Sequence, residues 1–261
     1  MYLWEKVPGL CEEIPEIHYY KPKFIRTDMA VIIFPGGGYE SRAEHEGEKY
    51  AQILSENGIH AFVVDYRVAP HHFPLPLLDA RRAVRYVRAY SKKYGINSER
   101  IAVMGSSAGG HLVALLSTFN FKIESEKTDF IDEVDYIPNA QILCYPVISP
   151  PSSGVGHIGS YYNLIGKEDK SLEGKLDPCI NVSCHTPPAF IWHASDDAVV
   201  NVINTYKYCT ALRNANISTE LHVFPKGGHG CGLAEKEPHT AQWFNLLLNW
   251  FEYKKWLTIE Q

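Results

Sequence analysis

Short apolar runs that alternate with longer stretches of helical spacing restrict the fold of this 261-residue chain more than any other feature. "MAVIIFP" (29–35), "HAFVVDYR" (60–67), "RIAVMG" (100–105), "AQILCYPVIS", "AFIWHAS" and "STELHVFP" (218–225) read as strands. "EHEGEKYAQILSENG" reads as an amphipathic helix closed by Gly58. "PLPLLDARRAVRYVRAYSKKYG" reads as a second, with proline near its start and Gly95 after its end. "AGGHLVALLSTF", roughly 201–215 and "HTAQWFNLLLNWFEYKKW" complete the helices. Strands alternating with helices imply βαβ units and a mostly parallel sheet. Several strands are apolar at nearly every position, as they must be when helices cover both faces. The expected fold class is therefore α/β.

Neither a linker nor an internal repeat interrupts the pattern, so residues 1–261 are expected to form one domain. With 45% hydrophobic residues the chain can fill such a core. One long region, 150–188, breaks the alternation and is rich in Gly, Ser and Pro. Loops of this length in a compact domain are usually functional or disordered. Tyr161, Tyr162, Leu164 and Ile165 give this one apolar anchors, so it is expected to be a small cap.

A net charge of −5 and the lack of a basic stripe argue against a nucleic-acid partner. No apolar run approaches the length of a membrane span, and "MYLWEKVPGLCEEIPE" lacks the basic and apolar regions of a signal peptide. The expected location is the cytoplasm, and a homo-oligomer is compatible with the sequence. Cys11, Cys144, Cys179, Cys184, Cys209 and Cys231 form no CxxC pair and read as free thiols. Cys179 and Cys184 are near enough in sequence to bridge in an oxidising setting.

The chemistry gathers where strands end. "GSSAG" (105–109) matches G-x-S-x-G with Ser107 at its centre, a strand before it and a helix after it. A nucleophile on such an elbow leaves no room for side chains two positions either side, hence Gly105 and Gly109. The following helix aims its N-terminal N–H groups at developing negative charge. Ser106 offers the same hydroxyl away from the central position. A serine nucleophile needs a base, and His229 in "FPKGGHGCG" lies just past the last strand among glycines. His71, His72, His111 and His193 read as surface or core histidines. Asp196 and Asp197, after "IWHAS", offer the carboxylate that would fix the histidine tautomer. The order Ser, Asp, His is that of the α/β-hydrolases. "FPGGGY" (34–39) exposes backbone N–H groups that, with Ala108 N–H, could hold an oxyanion. It lacks the lysine and spacing of a phosphate loop. No HExxH or zinc-spaced His/Cys cluster occurs, so no metal is expected and no cofactor is required. Cys231 lacks the elbow a nucleophile would need.

These landmarks, with "SRAEHEGEKYA", "DYRVAP", "CYPVIS", "TPPAFIWHASDDAVV" and "HVFPKGGHGCGL", resemble α/β-hydrolase esterases related to hormone-sensitive lipase and to bacterial acetyl-xylan and feruloyl esterases. The resemblance runs from about Ala30 onward. It implies a serine esterase for short acyl esters, with acetylated sugars as one candidate substrate class. The family's D-x-x-V stretch maps onto Asp197-Ala198-Val199-Val200, which makes Asp197 the implied triad acid beside Ser107 and His229. Two positions depart from the pattern. Pro35 stands where many relatives have histidine, which leaves the oxyanion donor open between Gly37 and Gly38. Asn201 stands where many have proline. Tyr39, Tyr161 and Tyr162 are candidate substrate contacts at the mouth. The competing readings are a peptidase or arylformamidase of the same fold, and a silent binding protein. A peptidase of this fold usually adds a propeller or large cap, for which 261 residues leave no room. A pure binder would have no use for the triad.

Overall fold

The structure, a computed structural model, describes residues 1–9, 14–119, 121–123, 129–166 and 170–257. Its strands are β1 Glu16–Tyr20, β2 Ala30–Phe34, β3 His60–Asp65, β4 Ile101–Ser106, β5 Ala140–Cys144, β6 Ala189–Ala194 and β7 Thr219–Phe224. They form one sheet in the order β1-β3-β2-β4-β5-β6-β7. Every neighbouring pair is parallel except β1 and β3, which run antiparallel from Glu16↔Asp65 to Tyr20↔Ala61. The apolar runs did not announce β1, because only Ile17 of "EIHYY" is buried. An edge strand has one neighbour and can leave much of its length to solvent.

The helices are α1 Glu44–Glu56, α2 Leu75–Ala89, α3 Ser91–Tyr94, α4 Ala108–Thr118, α5 Ile158–Ile165, α6 Pro178–Asn181, α7 Ile203–Asn214 and α8 Trp243–Tyr253. Alternation along the strands splits the core in two. Ile32, Phe34, Val103 and Leu143 pack with α2, α4 and α7. Val31, Ile33, Met104, Ile142 and Trp192 pack with α1 and α8. The long segment that begins "PLPLLDARR" is two helices, broken at Tyr90 and stopped by Gly95 at φ 73°. A fully buried bidentate pair fixes the turn between β3 and α2: Arg67 Nη2 donates to Asp79 Oδ1 at 2.7 Å and Nε to Oδ2 at 2.8 Å.

Region 150–188, expected to be a small cap, has secondary structure of its own among its described residues. It carries α5, α6 and short 3-10 turns. Residues 167–169 of this region, like Cys11, lie outside the described residues. The other five cysteines are free, Cys179 and Cys184 included. Among the described residues no helix is long and apolar enough to cross a membrane.

Parallel pairing brings the carboxyl ends of β2, β4, β6 and β7 to one edge of the sheet. The glycine loop, Ser107, Asp197 and His229 follow those four ends in turn. In open α/β sheets this edge is where ligands bind.

Candidate active site

Ser107 has φ 53° and ψ −119°, a conformation an L-residue adopts only under constraint. The constraint is packing. A Cβ at Gly105 would overlap the Gly109 carbonyl, and one at Gly109 would overlap the carbonyl of Phe34. Both glycines of the motif are thus sterically required, and β4 and α4 meet closely enough to raise Ser107 out of the turn.

Ser107 Oγ lies 2.8 Å from His229 Nε2, and His229 Nδ1 lies 2.7 Å from Asp197 Oδ2. An ionised carboxylate only accepts, so Nδ1–H donates to Asp197 and Nε2 is left to accept from the serine hydroxyl. Asp197 is buried, and burial alone would push its pKa up. Hydrogen bonds from His193, His229 and Val200 N–H outweigh that and hold it well below the usual carboxylate range. Oδ1 accepts from Val199 N–H at 2.9 Å and Val200 N–H at 2.8 Å. Asp196 is exposed and instead accepts from Gly228 N–H at 2.8 Å, steadying the loop that carries His229.

His193 belongs to this site, although its sequence position suggested a plain core histidine. It is fully buried, its Nδ1 accepts from Thr205 Oγ1–H at 2.8 Å, and its Nε2–H is shared between Asp197 Oδ2 at 3.1 Å and Val200 O at 3.0 Å. The signal in the sequence was its spacing of four from Asp197 across a strand end.

The glycine loop is held at each residue. Tyr66 Oη–H donates to Pro35 O at 2.6 Å, Gly36 N–H donates to Glu46 Oε2 at 2.9 Å, and Asn163 Nδ2 donates to Gly38 O at 2.9 Å. Pro35, the departure from the family pattern, packs against Gly47 of α1, where a Cβ would come within 2.9 Å of its ring. Gly36 N–H is occupied. Among the described residues, Gly37 and Gly38 N–H, at φ 123° and 66°, meet no acceptor. Ala108 opens α4, so its N–H has no partner within the helix.

Two of the three tyrosines expected at the mouth are interior. Tyr39 is buried, with Oη 3.0 Å from His111 Nδ1, and His111 Nε2 lies 3.0 Å from Leu176 O. Tyr161 is buried and donates to Glu173 O at 2.6 Å. Both side chains are thus nearly closed to solvent, with their hydroxyls bonded inside the protein. Tyr162 is half-buried on α5. Sequence reading passed over His157, the N-cap of α5, whose Nδ1 accepts from Ser160 Oγ at 2.8 Å and Ser160 N–H at 3.2 Å. Burial first, and then nearby His229, lowers its pKa, with Asp197 opposing. A neutral His157 therefore carries its proton on Nε2.

Burial pushes the Cys231 thiol up to about 12, which leaves it without the thiolate a nucleophile needs. Among the described residues no three His, Cys, Asp or Glu side chains are grouped to hold a metal.

The sheet, the helices on both faces and the elbow define an α/β-hydrolase fold. Within that fold the chain belongs to the BD-FAE family, which it matches over residues 17–212. The match begins in β1, earlier than the sequence landmarks indicated. An acetyl ester-xyloside bifunctional hydrolase from Caldicellulosiruptor lactoaceticus has the same architecture. Its TM-score is 0.92 at 40% identity, covering 99% of this chain and 97% of that one. The acetylxylan esterase of Xylanibacter ruminicola is 36% identical over 232 residues, 87% of this chain and 46% of that protein. Endo-1,4-beta-xylanase B of Butyrivibrio fibrisolvens is 34% identical over 221 residues, 82% of this chain and 34% of that protein. The chain thus spans less than half the length of these two curated relatives.

Proposed function

We propose that this chain is a serine carboxylic-ester hydrolase for short acyl esters, with acetylated sugars such as xylo-oligosaccharides as its substrate class. The observation that carries the reading is the unbroken relay from Ser107 Oγ through His229 to Asp197, at 2.8 and 2.7 Å, beside unpartnered backbone N–H groups. In the first half-reaction Ser107 Oγ attacks the ester carbonyl while His229 Nε2 takes its proton. Gly37, Gly38 and Ala108 N–H receive the oxyanion. The tetrahedral intermediate collapses, the C–O bond to the alcohol breaks, and His229 returns the proton to the leaving oxygen. Water then attacks the acyl-enzyme by the same route and frees the acid and Ser107. Asp197 holds the His229 tautomer and balances its charge as it becomes imidazolium. Triad and water handle every proton and bond, so the reading invokes no cofactor. The chain is read as one domain, with 150–188 as a short cap insertion. The free thiols of the five described cysteines favour a reducing compartment, the cytoplasm.

The test is kcat/KM on p-nitrophenyl esters from acetyl to octanoyl, beside acetate release from acetylated xylo-oligosaccharides. The expected result is preference for acetyl, acetate released from the oligosaccharides, and loss of both in Ser107→Ala. Preference for octanoyl, or no acetate from any sugar, would overturn the substrate class.

A further inference from the structure

Ten residues after Gly36, the segment "SRAEHEGEKYA" places a carboxyl side chain beneath the site for which the reaction above has no use. Glu46 is 2% exposed. Its Oε2 accepts from Gly36 N–H at 2.9 Å, and its Oε1 accepts from Tyr145 Oη–H at 2.7 Å. A Cβ on Gly36 would overlap this carboxyl and come within 3.0 Å of the Ser107 Cβ, so Glu46 occupies the space that Gly36 leaves beside the nucleophile.

Tyr145 follows β5 at φ 37°, a strained value for a bulky residue. Its hydroxyl accepts from Gly232 N–H at 3.0 Å, in the loop that carries His229. Its ring meets the His229 ring at 5.3 Å and 70°, edge to face. The same hydroxyl lies 3.2 Å from Tyr50 Oη, which lies 3.3 Å from Ser106 Oγ. One side chain of α1 therefore meets the glycine loop directly, and reaches the histidine loop and the elbow through two tyrosines. A basic group beside it, His45 Nε2, stands 3.8 Å from Oε1 and lies 2.9 Å from Gly230 O.

We propose that Glu46 is a positioning residue of this active site: its two oxygens set the oxyanion loop through Gly36 and the face of His229 through Tyr145. Binding Gly36 N–H turns the next two amides, Gly37 and Gly38, toward the reacting carbonyl. Fixing Tyr145 keeps the imidazole in register with Ser107. Placement errors of about 1 Å at such a centre cost roughly 100-fold in rate. The substrate need not touch Glu46, so its loss should act on kcat.

The proposal rests on the esterase reading, and the test separates the two. Glu46→Gln keeps an oxygen for Gly36 N–H and can offer its amide N–H to Tyr145 Oη, whose proton then turns to Tyr50. It should retain kcat within a few-fold. Glu46→Leu fills similar volume without an acceptor and should lose about 10- to 100-fold in kcat with KM nearly unchanged. Tyr145→Phe, which removes only the hydroxyl, should lose kcat in the same sense. A second readout is independent of activity. Amide hydrogen exchange across residues 34–41 should accelerate in Glu46→Leu and not in Glu46→Gln. A folded Glu46→Leu with wild-type kcat and exchange would overturn the proposal. So would equal losses in the Gln and Leu variants, which would indicate a need for the carboxyl other than as an acceptor. Wild-type protein that hydrolyses no ester would sink the esterase reading alone, and the exchange experiment would still decide on Glu46.

Discussion

His193 Nε2–H bonds Asp197 Oδ2 at 3.1 Å, the same oxygen that receives His229 Nδ1–H at 2.7 Å. A carboxylate gripped by two imidazoles and two backbone N–H groups has little freedom to rotate. His193 is held in turn by Thr205 at 2.8 Å. Removing it with His193→Leu leaves Asp197 buried with one donor fewer. A hydrogen bond to a charged group is worth about 1.5–3 kcal/mol, so kcat should fall about 10- to 100-fold if that energy holds the triad in place. KM should move little, and His193→Gln, which keeps a donor, should recover part of the loss. Steady-state kinetics of the two variants check this. Unchanged kcat in a folded His193→Leu would show that the grip has no catalytic consequence.

The two neighbouring aspartates should separate sharply. Asp197→Asn leaves the shape of the site but can hold His229 in the wrong tautomer, and a loss of about 10⁴-fold in kcat is expected. Asp196→Asn retains an oxygen for Gly228 N–H at an exposed position, and its effect should stay within about 0.5 kcal/mol. Parallel kcat measurements decide it; the reverse ranking would move the acid to Asp196.

Ser107 should be the site of attack by an organophosphonate. Peptide mass spectrometry should place the adduct there, and Ser107→Ala should lower kcat by on the order of 10⁶-fold. Ser106 should stay unlabelled, since its hydroxyl is buried 3.3 Å from Tyr50 Oη. An adduct on Ser106 or Cys231 would refute the elbow assignment.

What could be read in advance was whatever depends on local pattern. The apolar strands, the colliding glycines around Ser107 and the D-x-x-V register are short-range constraints, and each leaves a mark within a few residues. The positions hidden from that reading answer to partners far along the chain. Tyr39 looked like a mouth residue because it follows the oxyanion glycines. Its orientation is set by His111, 72 residues later. Glu46 lies in a segment whose pattern shows only an amphipathic helix, and its partner Tyr145 is 99 residues away. β1 was invisible because an edge strand requires one inward residue, and Ile17 alone makes no pattern. Helix α5 was obscured by flanking glycines and serines, and its formation depends on packing Tyr161, Leu164 and Ile165 into the core.

His111 makes the fold sensitive to acid in a definite window. The ring is fully buried in α4, with Nε2 bonded to Leu176 O and Nδ1 to Tyr39 Oη, both at 3.0 Å. An imidazole that accepts from a tyrosine hydroxyl and donates to a carbonyl is satisfied only when neutral. Burial lowers its pKa to about 4, against a smaller opposite pull from Leu176 O. The unfolded chain, with a histidine near 6.5, binds a proton that the folded chain refuses. Between about 6.5 and about 4 stability must therefore fall as the pH falls. Above that window the group contributes no slope, and below it the loss levels off. The full loss is on the order of 3 kcal/mol. Other carboxylates and histidines titrate over the same range, so the measurement is a difference. Urea unfolding of wild type and His111→Gln, at steps from pH 7.5 to 4, should show the wild type losing stability relative to the variant as the pH drops. Because His111 ties Tyr39, beside the glycine loop, to Leu176 in the cap, the same acid range should loosen the cap. Hydrogen exchange across 170–180 should rise with the stability loss and stay flat in the variant. A stability difference that does not change with pH would mean that His111 titrates alike in both states, and that the cap is held by other contacts.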